Sequence, residues 1–137
     1  MKPIGYWLNR TDQALTATMN ALLAEYGLTR LAWQVLNVVE DDPQATDTAV
    51  RTVLAANASP AELSAAITAV LTDDWATRPA PERLALTDAG RERLALVGER
   101  VAAFRAASVA GITPEEYRAA VSVLERMTHN LESGRER

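Results

Sequence analysis

Two capping boxes fix where helices must begin in this chain: Ser59-Pro60-Ala61-Glu62 and Thr113-Pro114-Glu115-Glu116. In each, the hydroxyl accepts from the amide three residues on and the glutamate reaches back to the capping residue's own N–H. Proline occupies the first helical position, where its missing donor costs nothing. The helix opened at Ser59 continues through Leu63, Ile67, Val70 and Leu71 to Asp73-Asp74. The one opened at Thr113 sets Tyr117, Val121, Leu124, Thr128 and Leu131 along one face. Upstream, residues 5–26 carry Leu15, Met19, Leu22 and Tyr26 at helical spacing, with Gly27 as stop signal. Residues 29–39 repeat the pattern through Leu31, Val35, Val38 and Val39 and break at Glu40-Asp41-Asp42-Pro43. Thr46 or Asp47 caps a short helix through Val50, Val53 and Leu54, ended by Asn57-Ala58.

Between the boxes the character changes. Trp75-Ala76-Thr77-Arg78 and Arg83-Leu84-Ala85-Leu86 read as two short strands, with Pro79 and Pro81 confined to the turn because proline cannot donate to a ladder. Thr87 then caps a long helix, and Asp88 in its first turn suits the helix dipole. Leu94, Val97, Val101 and Phe104 form a seam for another helix. The expected fold is mainly α with one small β-hairpin, a single domain over 1–137. Residues Ser133–Arg137 are expected to fray.

Composition removes whole classes of chemistry. There is no cysteine and one histidine, His129, so disulfides, thiolate zinc sites and most general-base schemes drop out. No glycine-rich phosphate loop, nucleophile elbow or metal-ligand cluster appears, so neither an enzyme nor a cofactor is expected. Apolar runs are too short for a membrane span and no signal segment is visible, which makes the cytoplasm the expected compartment. A net charge of −4 argues against indiscriminate polyanion binding but leaves room for a local basic patch.

The order of parts resembles the MarR (multiple-antibiotic-resistance regulator) family. The resemblance is carried by Leu28-Thr29-Arg30-Leu31-Ala32-Trp33-Gln34-Val35-Leu36, and by Leu84-Ala85-Leu86-Thr87-Asp88-Ala89-Gly90-Arg91 at the strand-to-helix junction. Gly111-Ile112-Thr113-Pro114-Glu115-Glu116 and Leu124-Glu125-Arg126-Met127-Thr128-His129-Asn130-Leu131 bear it at the start and end of the last helix. It implies a homodimer whose terminal helices, over 1–27 and 108–133, interlock. It further implies a winged helix-turn-helix with its long connecting helix over 28–107, with Ser59–Asp74 as recognition helix and Trp75–Leu86 as wing. Double-stranded DNA and a small apolar or aromatic ligand are the implied partners.

Candidate contacts follow, each with a plainer alternative. Arg78 and Arg83 would grip the duplex from the wing, or else pair with Asp73, Asp74 or Glu82. Arg30 and Arg51 would meet phosphates, or be ordinary helix charges. Ser59, Ser64 and Thr68 would face the groove, or be small surface residues. Tyr6, Trp7, Met19, Trp33 and Phe104 would line a ligand pocket at the dimer junction, or be core and dimer interface. The recognition segment 59–74 departs from a DNA-reading helix in carrying three acids and no base. The chain is therefore either an operator-binding regulator or a related dimer, without DNA binding, that binds small molecules or proteins.

Overall fold

The computed structural model describes residues 1–135. Among these, six helices and a two-stranded hairpin follow in the order α1 (Ile4–Ala24), α2 (Arg30–Asp41), α3 (Asp47–Val53), α4 (Pro60–Thr72), β1 (Ala76–Thr77), β2 (Ala85–Leu86), α5 (Asp88–Ser108) and α6 (Pro114–Arg135). The chain divides into two compact units within α5, Met1–Val101 and the stretch from Ala102 onward. The expected mainly helical winged helix-turn-helix is present. No helix is long and apolar enough to cross a membrane among the described residues.

Each helix of the first unit begins and ends where local chemistry dictates. Gly27, at φ 73°, closes α1, with Leu28 N–H donating to the Leu23 carbonyl and Gly27 N–H to that of Ala24. This pair of hydrogen bonds satisfies carbonyls the helix end leaves orphaned. Thr29 and Thr46 cap α2 and α3, their hydroxyls accepting from Ala32 and Ala49 at 3.1 and 3.0 Å. The capping box of α4 forms in both directions, each bond 3.1 Å.

The core sits between α2 and α4 and under the hairpin. Val35 and Leu36 of α2, Val50 of α3, and Leu63, Ile67 and Val70 of α4 are buried together with Trp75, Leu84 and Val97. Burying a large aliphatic or aromatic side chain contributes roughly 1.5–3 kcal/mol, so these residues supply a large part of the drive to fold. The hairpin is shorter than the expected strands: the ladder pairs only Ala76 with Leu86 and Thr77 with Ala85. It is lengthened on its other side by the α2–α3 connection. There Leu84 N–H donates to the Ala45 carbonyl and Asp47 N–H to that of Glu82, forming a bridge between Thr46 and Arg83.

The end of α4 is locked to the start of α5. Asp74 takes φ 61°, a conformation glycine usually supplies at a helix end, while Trp75 N–H donates to the Val70 carbonyl. The Thr87 hydroxyl donates to the Asp74 carbonyl at 2.7 Å and accepts from Gly90 N–H at 2.8 Å. Gly90 lies directly beneath the Trp75 carbonyl, with no room for a Cβ.

In the second unit, Gly111 at φ 79° and the Thr113–Glu116 capping box open α6. No residue of α6 is buried. On its expected face Tyr117, Val121, Thr128 and Leu131 are open to solvent and Leu124 is half-buried. The expected fraying of Ser133–Arg137 is replaced by helix as far as Arg135; Glu136 and Arg137 lie outside the described residues.

Candidate nucleic-acid interface

Helix α4 buries Leu63, Ala66, Ile67 and Val70 against the core. The period of 3.6 residues therefore turns Ala61, Ala65, Thr68, Ala69 and Thr72 outward, all of them exposed. This face is built mostly of methyl groups and hydroxyls, with Glu62 exposed in its first turn. Thr68 and Thr72 donate their hydroxyl protons to the carbonyls of Ser64 and Thr68, at 3.0 and 2.8 Å. Their oxygens keep accepting capacity for a partner. Ser59 is spent on the cap, which also holds the Glu62 carboxyl below its ordinary range through the Ser59 backbone N–H and hydroxyl.

A basic residue of α3 touches the edge of this helix. Arg51 in the last turn of α3 donates to the Ser64 hydroxyl at 3.3 Å, which joins two of the expected DNA contacts. One turn earlier on α3 stands Asp47. Its carboxylate takes both arms of the Arg78 guanidinium, at 2.7 and 2.9 Å. That hydrogen-bonded pair, with the charges of Arg78 and Arg51, outweighs partial burial and lowers the Asp47 pKa below 3.8. Arg78 is raised by the same bond, with a smaller contribution from Glu82. Helix α3 thus makes two separate polar contacts, Arg51 with Ser64 of α4 and Asp47 with Arg78 of the wing, and the charge of Arg51 is felt at Asp47.

The remaining expected contacts are differently placed. Arg83 turns its guanidinium inward, donating to the Pro43 carbonyl at 3.2 Å, with Nε buried and unpartnered. It fastens the wing to the α2–α3 connection. Arg30 is exposed at the first position of α2. Arg78 pairs with Asp47, not with Asp73, Asp74 or Glu82. That partner lies 31 residues away, and sequence reading treated Asp47 only as a helix cap. The i, i+4 spacing of Asp47 and Arg51 was its one local signal. Sequence reading also missed Arg93, whose guanidinium lies 3.8 Å from the ring centre of the buried Trp75.

The expected ligand-lining residues are spread out. Tyr6 and Trp7 meet edge to face at 5.0 Å near the start of α1, with Arg10 donating to the Tyr6 hydroxyl at 3.0 Å. Met19 is buried further along the same helix, about 18 Å away at the rise of an α-helix. Trp33 on α2 and Phe104 in the second unit are half-buried.

Three packed helices, the third presenting an uncluttered outer face, and a following hairpin define a winged helix-turn-helix. No family model and no curated protein matches the sequence. Among solved structures, the fold is that of MarR-type regulators. A MarR family protein of Mycobacterium tuberculosis, Rv2887, solved in complex with DNA, is similar at 23% identity and TM-score 0.71, over 93% of this chain and 98% of that one. The transcriptional repressor CouR, bound to p-coumaroyl-CoA, is similar at 23% identity and TM-score 0.73, over 92% and 91%. MarR of E. coli in its reduced form is similar at 16% identity and TM-score 0.70, over 93% and 94%. At these identities the likeness establishes the fold.

Proposed function

We propose that this chain is a MarR-family transcription regulator that binds a pseudo-palindromic operator as a homodimer, one recognition helix to each half-site. The observation that carries this reading is the outward face of α4. Its methyls and hydroxyls are small enough for close approach to base edges; Arg51 of α3 touches α4 at Ser64, and Arg78 of the wing pairs with Asp47 of α3. Alanine and threonine methyls suit apolar contact with thymine methyl groups, and threonine hydroxyls suit either base type. Arg30, Arg51 and Arg78 are assigned to phosphates, with Ser64 and Thr68 toward the groove. The complex of Rv2887 with DNA supports the same use of the same fold.

Modulation by an apolar or aromatic ligand is the second part of the proposal, supported by the ligand-bound form of CouR. Such a ligand acts by binding more tightly to one spacing of the two recognition helices than to another. Tyr6, Trp7, Met19, Trp33 and Phe104 are the residues to probe for it. A second reading, a dimer of this fold that binds small molecules or proteins and not DNA, is favoured by one observation. The exposed residues of α4 and its cap include Glu62, Asp73 and Asp74 and no base.

The two readings separate in one titration. The purified protein is mixed with its own promoter DNA and with scrambled DNA across a salt series. Preferential binding to the promoter, with a shallow salt dependence because few phosphates are neutralised, is expected. Equal and negligible binding to both DNAs at low salt would leave the second reading.

A further inference from the structure

Asp47 is the acid that ties α3 to the wing. Its two carboxylate oxygens fill the Arg78 fork, and Arg51 stands one turn away on the same helix. A guanidinium fork takes carboxylate and phosphate with the same paired geometry. The bond to Asp47 therefore occupies the donors a phosphate would use. Little other charge is at hand: α4 has no base, and Arg83 is committed to the Pro43 carbonyl. Glu82 adds a further negative charge near Arg78.

We propose that Asp47 sets the affinity of this face for duplex DNA by competing with phosphate for the guanidinium of Arg78. The proposal rests on the DNA-binding reading of the same face. The Arg78 side chain is 38% exposed, so exchange of carboxylate for phosphate needs no unfolding. The pair also keeps the arginine beside α3 between encounters. Asp47 thus holds Arg78 in place while subtracting one charge from each subunit's contact surface.

The test uses the full chain and a fluorescein-labelled mixed-sequence duplex long enough for two half-sites, titrated by fluorescence anisotropy across a salt series. Native protein, Asp47→Asn, Arg78→Ala and the double variant are compared, with thermal unfolding recorded for each. Asp47→Asn is expected to tighten binding about two- to fivefold per subunit. It should steepen the fall of log affinity with log salt by about 0.9 for each phosphate newly engaged. Adding Arg78→Ala should erase both gains, and should cost more affinity there than in the native background. Asp47→Ser, which keeps an oxygen at the helix start, should behave as Asp47→Asn if the latter folds poorly.

Unchanged or weaker binding by both Asp47 variants, with an unchanged slope, overturns the competition while DNA binding stands. A gain that survives Arg78→Ala also overturns it, since charge alone would then be responsible. No binding by any of the proteins at low salt overturns this proposal and the regulator reading together.

Discussion

Gly90 carries more constraint than any other glycine of the chain, because the Trp75 carbonyl occupies the space a Cβ would need. The clash is with backbone, which cannot rotate aside. Gly90→Ala is therefore expected to destabilise by about 3 kcal/mol, the upper end of overpacking costs, read as a lowered urea midpoint. Asp74 is the opposite case. It holds φ 61° with a side chain present, and a left-handed residue costs about 1–2 kcal/mol. Asp74→Gly should recover up to about 1 kcal/mol after the added chain entropy of glycine is subtracted, seen as a raised urea midpoint. Asp47 gives a pH signature. Its native pKa is lowered, so its pairing with Arg78 stabilises the fold above 3.8 and is lost as pH falls through the native value. Asp47→Asn should cost no more than about 1 kcal/mol near neutrality, since the pair is partly exposed. The difference from native protein should vanish in acid, as followed by denaturant melts across pH.

Among the elements, the helices were legible and the wing only in outline. Hydroxyl caps, glycine stops and the two capping boxes are local chemistry, written within four residues of each boundary. The hairpin was foreseen from its prolines and flanking apolar residues, but its ladder is shorter because the α2–α3 connection takes over the pairing at Arg83 and Leu84. Partners so far upstream, Thr46 for Arg83 and Ala45 for Leu84, leave no periodic trace. For the same reason Ser64, Arg51 and Arg78 could be named from residue type, while the carboxylate that holds Arg78 could not. Helix α4 makes its own prediction. If its outward Ala61, Ala65, Thr68, Ala69 and Thr72 lie against thymine methyls, a duplex selected from a random pool should be rich in A·T pairs. Replacing its thymines by uracils should then weaken binding at least about fivefold, an effect of about 1 kcal/mol. A selected site insensitive to uracil would move base reading elsewhere.

At the scale of the molecule, two helices keep apolar surface in water. On α1 these residues are Ile4, Trp7, Leu8 and Leu15, and on α6 Tyr117, Val121, Met127 and Leu131. Under the proposed function a second copy of the chain covers these residues. Val121→Glu would place an unpaired charge in that contact. It is expected to shift sedimentation from dimer to monomer at micromolar concentration while the helical circular dichroism of the chain persists. Trp75 gives the molecule one more property. Its indole is sealed from solvent at 1% exposure, lies under the Arg93 guanidinium and belongs to the joint where α4, the hairpin and α5 meet. The chain therefore carries its own optical gauge: with Trp7 and Trp33 replaced by phenylalanine, the colour and yield of the remaining emission would follow that joint alone. Any effector or duplex that shifts the hairpin against the long helix would announce itself without a dye.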